Sequence, residues 1–190
     1  KENIVIAGWF MSHPHNDHVT AFLKYAREYS TDETIHVQRV IFNFADHTWY
    51  DFAREDGTTE NCGKYVLEIL ESCREKLPET QVIKAHTGQV FRLGGMEIEM
   101  LFTYEDLEPS PLEYQNTSSL VFRVTCQDNT VLVLGDASNR SCSYLVRSYG
   151  DYLKSDIVQI SHHGYTGGTI PLYNAISAEV ALWPCGVASI

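Results

Sequence analysis

The segment Ser-His-Pro-His-Asn-Asp-His, residues 12–18, constrains this chain more than any other feature. It follows an apolar run, Ile4–Met11, which predicts a strand, and it precedes Val19–Tyr29, which has the spacing of a helix. Three histidines and a carboxylate therefore lie where a stiff strand end meets a helix. The alternative, a polar loop that caps the helix, leaves the histidines unexplained because Asp17 alone can cap. The segment thus predicts a metal site.

The remaining pattern predicts an α/β fold with mixed sheets. Strands and helices alternate in the first third, a region of hairpins follows, and alternation then returns. The further predicted strands are Ile35–Phe44, Gln81–Ala85, Gln89–Leu93, Met96–Phe102, Ser119–Cys126, Thr130–Leu134, Asp156–Ser161 and Glu179–Trp183. The further predicted helices are Thr59–Lys76, Ser141–Tyr149 and Pro171–Ile176, and Thr103–Asn116 is predicted to be an irregular loop.

Length and charge limit the class of protein. At 190 residues, 44% of them hydrophobic, the chain fits a single globular domain over residues 1–190. Lys and Arg total 14 and Asp and Glu total 25, so the formal charge is 14 − 25 = −11. Such a charge argues against broad capture of nucleic acid, although a metal can still hold a small anionic substrate. No apolar run is long enough to span a bilayer.

The cysteines favour a reducing compartment. Five cysteines are scattered along the chain and none forms a CxxC pair. An odd, unpatterned set predicts reduced thiols and not a disulfide framework. We therefore expect a cytoplasmic location, with the reservation that an export signal would lie outside this sequence.

Two later segments carry further metal-ligand side chains. Leu132–Ala137 is an apolar strand that ends in Gly-Asp, which places Asp136 at its end. Ile160–Gly164 contains the adjacent pair His162 and His163, again just after an apolar strand. A carboxylate without a partner is costly to bury, and α/β folds build their sites at strand ends.

Histidine and aspartate ligands suit Zn²⁺, Mn²⁺ or iron and require no thiolate. On an extended segment the rings of His13 and His15 can face one metal ion, while Asp17 and His18 can face a second. Asp136 can bridge the two ions. We expect two divalent ions, with zinc preferred. Two such ions would activate a bridging hydroxide, so no Ser or Cys nucleophile is needed.

One histidine of the pair 162–163 would complete the second site. Neighbouring side chains of an extended segment point to opposite faces, so only one of them is expected to bind. We predict His162 as the ligand and His163 as a catalytic or substrate contact alongside Asp17, and the reverse assignment of the pair stays open.

These motifs together resemble a known superfamily. His-Pro-His-Asn-Asp-His is similar to the HxHxDH signature of metallo-β-lactamases. Asn-Thr-Ser-Ser-Leu-Val (116–121), Gly135-Asp136-Ala137 and His162-His163-Gly164 resemble motifs of the bacterial ComEC/Rec2 competence proteins. Bacterial phosphorylcholine esterases share a similar ligand layout. The resemblance runs from about Ile4 to Trp183 and implies an αββα sandwich with mixed sheets.

The chain departs from the superfamily pattern in two places. Most members have another ligand histidine before the strand that follows the hairpins, where this chain has Gln115-Asn116. The first metal would then be held by His13, His15 and Asp136, with a water or the substrate completing its coordination. Members also begin with a block of strands before HxHxDH, so we expect this chain to lack the first strands of the fold.

The resemblance implies a metal-dependent hydrolase, and more narrowly a phosphodiesterase. The substrate is expected to be a small phosphoester or a nucleic acid bound only as substrate. The alternative is a degenerate domain of the same fold with a binding or structural role. An exposed sheet edge left by missing strands would favour self-association into a homo-oligomer.

Overall fold

A computed structural model describes residues 3–52, 61–107 and 115–185, without the side chains of residues 51 and 52. By its internal contacts the chain divides into two compact units, residues 1–85 (the first unit) and residues 86–190 (the second unit). A single domain over residues 1–190 stays a prediction. Within the described residues, no helix is long and apolar enough to cross a membrane.

The described residues of the first unit form two small parallel sheets and three helices. The strand β1 pairs with β3, and the other sheet has the order β2-β4-β5. Its elements are β1 (Ile4–Ile6), β2 (Trp9–Phe10), α1 (Asn16–Glu28), β3 (Ile35–Val37), β4 (Arg39–Phe42), α2 (His47–Phe52), α3 (Cys62–Glu75) and β5 (Gln81–Lys84).

The helix α1 is fixed by its apolar face. Val19, Phe22, Leu23 and Ala26 are buried and recur at helical spacing, and α1 packs against α3. The indole ring of Trp9 in β2 lies 5.4 Å from the ring of Phe22, which ties the helix to the strand that precedes it. The segment between β2 and α1, which contains His13 and His15, is therefore held at both ends.

The second unit is built on one six-stranded mixed sheet of order β11-β10-β9-β8-β7-β6. The pairs from β6 to β9 are antiparallel, and β9, β10 and β11 are parallel. Its strands and helices are β6 (Val90–Leu93), β7 (Met96–Phe102), β8 (Val121–Cys126), β9 (Asn129–Val133), α4 (Asn139–Tyr149), β10 (Ile157–Gln159), α5 (Ile170–Ile176) and β11 (Val180–Leu182).

The two helices of the second unit cover a buried apolar core on the sheet. The core combines strand residues with helix residues: Phe102, Val121, Leu132, Leu134, Cys142, Leu145, Leu172 and Ile176. The helix α5 starts at Thr169, whose side chain accepts a hydrogen bond from the backbone N–H of Leu172, and it ends at Ser177 in the left-handed conformation. This packing fixes the ends of β9 and β10, where Asp136 and the histidine pair follow.

Most predicted elements are present, and the mixed α/β class is confirmed. The hairpin of β6 and β7 turns at Gly94 and Gly95, both with positive φ, as its two-glycine sequence predicts. Two predicted strands are wrong as single elements: Ile4–Met11 divides at Ala7-Gly8 into β1 and β2, and Ile35–Phe44 divides at Gln38 into β3 and β4. The helix α2 was not among the predicted elements, and residues 108–114 of the predicted irregular loop lie outside the described residues.

Candidate metal centre

The predicted ligands of the first unit lie at the end of β2. Because β2 and β4 are parallel, the chain leaves their sheet at the edge where α/β folds place their sites. His13 is fully buried, whereas His15 and His18 are partly exposed and Asp17 is exposed. The helix α1 starts after His15, which forms no side-chain cap. The ring of His15 is therefore not used to cap the helix.

The three rings of this histidine cluster (His13, His15 and His18) pack against one another. His13 Nε2 lies 3.0 Å from His15 Nδ1, and the ring centroids of His13 and His18 are 4.2 Å apart. Only one proton fits between the two nitrogens of the first pair. Two nitrogens bound about 2.1 Å from one tetrahedral zinc ion lie roughly 3.4 Å apart. The spacing of His13 and His15 is thus close to that of two ligands of one ion.

Ser12 is a residue of this cluster that the sequence did not single out. Its Oγ lies 3.1 Å from His13 Nδ1 and 3.2 Å from His18 Nδ1, so one hydroxyl orients two rings. Metal-binding histidines commonly have their second ring nitrogen in such a hydrogen bond. The signal available in the sequence was a hydroxyl directly before the first histidine of the motif.

The predicted ligands of the second unit come from the ends of two neighbouring parallel strands. Asp136 follows β9 and is 2% exposed, while His162 and His163 follow β10. Asp136 Oδ2 lies 3.9 Å from His162 Nε2 and 3.7 Å from His163 Nε2. The parallel pairing of β9 and β10 explains why residues so distant in sequence meet.

Gln159 joins the two strand ends, and sequence reasoning missed it. Its Oε1 accepts hydrogen bonds from the backbone N–H groups of Leu134 at 2.9 Å and Gly135 at 2.8 Å, and its Nε2 donates to the Gly135 carbonyl at 3.1 Å. The backbone N–H of His162 also donates to that carbonyl. Gln159 therefore sets the turn that places Asp136. Its signal was a single amide at the end of an otherwise apolar strand.

The histidine pair does not lie on an extended segment, contrary to our expectation. His162 has φ 50° and ψ 46°, and His163 has φ 54° and ψ 14°, so both are in the left-handed region that non-glycine residues avoid. Such backbone conformations cost of order 1–3 kcal/mol each and are concentrated at functional sites. The two rings consequently do not point to opposite faces, because each Nε2 lies within 4 Å of Asp136 Oδ2.

Hydrogen bonds distinguish the two histidines of the pair. His163 Nδ1 lies 2.6 Å from the Pro184 carbonyl oxygen, which can only accept, so Nδ1 is the donor; in a neutral imidazole Nε2 then has the lone pair. His162 Nδ1 lies 2.9 Å from Thr166 Oγ1, and its Nε2 lies 3.4 Å from the Asn116 amide nitrogen. A backbone carbonyl on Nδ1 with Nε2 left for the metal is the usual arrangement of a metal ligand, and it occurs at His163.

Asn116 belongs to a buried polar turn. Gln115–Ser118 and Ser119 are all buried, and Ser119 Oγ accepts a hydrogen bond from the backbone N–H of Asp136 at 3.1 Å. Asn116 Oδ1 has no hydrogen-bond partner in the described part of the chain. The donor set of nitrogens, a buried carboxylate and a buried amide fits divalent metal ions.

The thiols take no part in either cluster. All five cysteines lie in the described residues and none is in a disulfide. Burial raises the pKa of Cys73 and that of Cys142 to about 11, so both are protonated at neutral pH. Metal ligation by these two thiols is therefore not favoured.

Solved structures show which fold these features belong to. The metallo-β-lactamase fold protein YhfI from Bacillus subtilis is similar over 96% of this chain and 66% of its own, with a TM-score of 0.51 and 13% identity. The chain has the metallo-β-lactamase fold. Yeast PDE1 matches over 95% of this chain and 58% of its own, with a TM-score of 0.49 and 12% identity. CmlA, a diiron β-hydroxylase from Streptomyces venezuelae, matches over 93% of this chain and 28% of its own, with a TM-score of 0.43 and 14% identity.

The chain spans less than two thirds of the length of these solved structures. The sequence matches no protein-family model, and it has no match among curated proteins. The assignment of the metallo-β-lactamase fold therefore rests on structural similarity. At a sequence identity of 13%, this similarity supports the fold and not a function.

Proposed function

We propose that the chain is a metal-dependent hydrolase that uses two divalent metal ions. By the resemblance of its motifs, His13, His15 and Asp136 would hold one ion, and Asp17, His18 and His163 would hold the other, with Asp136 predicted to bridge the two. We thus exchange the predicted roles of His162 and His163, because the hydrogen bond to the Pro184 carbonyl leaves Nε2 of His163 for a metal. His162 then orients Asn116 and contacts the substrate.

One observation carries this proposal. All seven residues predicted from the sequence collect into two clusters, each at the carboxyl ends of parallel strands. In the first cluster two imidazole nitrogens are spaced like ligands, and in the second a 2% exposed carboxylate meets two histidine Nε2 atoms. A buried carboxylate is stabilised by a cation, and packing of three imidazole rings has no other evident use.

When bound, two such ions polarise the scissile group and lower the pKa of a water molecule. The chain's own residues would orient the ions and move protons. Ser12 and Gln159 hold the ligands in place through their hydrogen bonds. The Asp17 side chain is 51% exposed, with Oδ2 3.7 Å from His18 Nε2, so its carboxylate is placed to accept a proton from an attacking water.

The proposed substrate class is a phosphoester. Two-metal sites with nitrogen and oxygen ligands are well suited to displacement at phosphorus, since they stabilise both the attacking and the leaving oxygen. The ComEC/Rec2-like motifs favour the same class, and Asp136 stands where zinc β-lactamases carry a cysteine. Zinc is the proposed metal, with manganese or iron as the alternatives.

The test is an assay of the chain loaded with Zn²⁺ or Mn²⁺ against bis-p-nitrophenyl phosphate, a choline phosphoester and single-stranded DNA. We expect metal-dependent hydrolysis of at least one, abolished by a chelator and by His15→Ala but not by the control His36→Ala, which changes an exposed histidine. Metal binding without turnover of any of the three would refute the phosphoesterase. Less than one equivalent of metal, unchanged by His15→Ala, would instead favour a degenerate domain.

A further inference from the structure

A pocket of about 480 Å³ lies in the second unit beside the histidine pair. It is lined by the segment that follows His163, by residues at the end of β10 and by Trp183, and all its lining residues belong to the second unit. Its size falls within the range of small-molecule sites. No role in metal binding accounts for this pocket.

Glycines form one wall of the pocket. Because they have no side chain, aromatic rings can pack directly against their backbone. A Cβ at Gly164 would collide with the Trp183 indole, and a Cβ at Gly168 would collide with the Tyr173 hydroxyl. Gly164 has φ +82° and Gly167 has φ +102°, so both also have a conformation that other residues rarely adopt. The glycines thus allow the two rings to lie directly against the chain.

Two large aromatic rings of this pocket are exposed although each contacts a residue of the histidine pair. Trp183 is 61% exposed, yet its Nε1 donates a hydrogen bond to the His163 carbonyl at 2.5 Å. Tyr165 is 64% exposed, and its ring centroid lies 6.2 Å from that of His162. Exposed apolar surface has a free-energy cost, and a fixed ring loses little entropy when a ligand stacks on it.

The lining carries no formal charge. None of the described residues that line the pocket is Asp, Glu, Lys, Arg or His, in a chain whose formal charge is −11. The polar side chains of the lining are Asn139, Ser161 and Thr166 together with the tyrosine hydroxyls. A charged ligand group would find no ion-pair partner there, whereas an uncharged planar ring with hydrogen-bonding edges would find both stacking surfaces and polar contacts.

We propose that this pocket binds an uncharged planar heteroaromatic ring, of the nucleobase kind, as part of the substrate. This assignment of the substrate rests on the proposed phosphoester hydrolysis, since the ring would belong to the alcohol part of the ester. The binding of the ring itself requires neither the metal ions nor hydrolysis, because it depends only on residues of the second unit.

The test therefore uses adenosine, which has no phosphoester, with the chain freed of metal by a chelator. Binding is followed by saturation-transfer NMR and by quenching of tryptophan fluorescence. We expect adenosine to bind, and Trp183→Ala to weaken binding about tenfold, the scale of one lost base–aromatic stack. Tyr165→Ala should weaken it by a smaller factor, while Tyr29→Ala, which removes an exposed ring of the first unit, should leave it unchanged.

Trp183→Phe is a second variant for the case in which Trp183→Ala does not fold. It keeps a flat ring but removes the hydrogen bond to His163. We expect it to bind adenosine more weakly than the wild type and more tightly than Trp183→Ala. Absence of adenosine binding in the wild type, or equal binding in Trp183→Ala, would overturn the proposal. If the pocket bound the cation tetramethylammonium and not adenosine, the proposal of an uncharged planar ring as ligand would be wrong. Failure of hydrolysis with adenosine still bound would count only against the proposed function.

Discussion

The two units build their clusters of candidate ligands in different ways. The first unit takes His13, His15, Asp17 and His18 from one continuous strand-to-helix segment, so chain connectivity alone brings them together. The second unit brings Asp136 next to His162 and His163 through the parallel pairing of β9 and β10, fixed by the side chain of Gln159. The first cluster depends only on residues that are close in sequence, whereas the second cluster depends on the topology of the whole sheet.

The largest effect is expected at the buried carboxylate of the second unit. Asp136→Asn removes the charge that both proposed ions share, so kcat/KM should fall by at least about 10³-fold, since a bound ion contributes several kcal/mol to the reaction. The free energy of unfolding of the metal-free chain should stay equal or rise, because an amide is less costly to bury than a carboxylate. Denaturant titration and steady-state kinetics measure the two quantities.

The matched control is Asp151→Asn, which makes the same chemical change at a carboxylate that is 90% exposed. It should leave both kcat/KM and the unfolding free energy unchanged. Equal activities of the two variants would show that Asp136 has no role in a metal centre.

Each unit contains a buried thiol, so the rate of thiol modification shows how readily each unit unfolds locally. Burial raises the pKa of Cys73 in the first unit and Cys142 in the second from 9.0 to about 11. Thiolate is the reactive form, so at pH 8 the raised pKa alone lowers the reactive fraction of each about 100-fold. Both should react with iodoacetamide far more slowly than the exposed Cys126, as followed by peptide mass spectrometry. Modification of either at the rate of Cys126 would mean that its unit opens readily.

The hydrogen bonds of Gln159 test how the second unit holds its cluster. Gln159→Ala leaves the backbone N–H groups of Leu134 and Gly135 without their acceptor, which should lower the free energy of unfolding by about 1–3 kcal/mol. Gln81→Ala, at an exposed strand position of the first unit, provides the control. If thermal and denaturant unfolding show the same stability for both variants, Gln159 does not fix the strand ends.

The smallest effect is expected for the hydroxyl of the first unit. Ser12→Ala removes the hydrogen bonds to Nδ1 of His13 and His18 but leaves the ligands on their continuous segment. Metal affinity should fall about tenfold, the lower end of the range for residues that orient ligands. Titration with a competing chelator measures this, with Ser148→Ala, an exposed helix position, as the control. A loss as large as that from His13→Ala would mean that Ser12 itself binds the metal.

The sequence predicted which side chains would cluster better than it predicted their backbone geometry. The HxHxDH segment, the Gly-Asp strand end and the histidine pair were each recognisable because ligand side chains followed apolar runs. The left-handed backbone at His162 and His163 was not predictable, since it depends on the packing of Trp183 onto Gly164 and on the Pro184 carbonyl. The divisions at Ala7-Gly8 and Gln38 were missed because apolar periodicity continues across both positions.

Ser12 and Gln159 were also missed, and the burial of the turn Gln115–Ser118 was not predicted, for a related reason. Polar residues next to a motif have many structural uses, and only the atoms that they contact show which use applies. Sequence patterns therefore predicted which side chains cluster as candidate ligands, whereas the groups that orient them required the structure.

The central proposal, which rests on the resemblance of the sequence motifs, is that two metal ions are bound by the predicted histidine and aspartate ligands. Anomalous diffraction at the zinc edge, from crystals of the chain grown with Zn²⁺, tests it directly. We predict two peaks, one bound by His13, His15 and Asp136 and the other by Asp17, His18 and His163. The absence of a peak at these residues, or a peak whose ligands all come from one unit, would contradict the account.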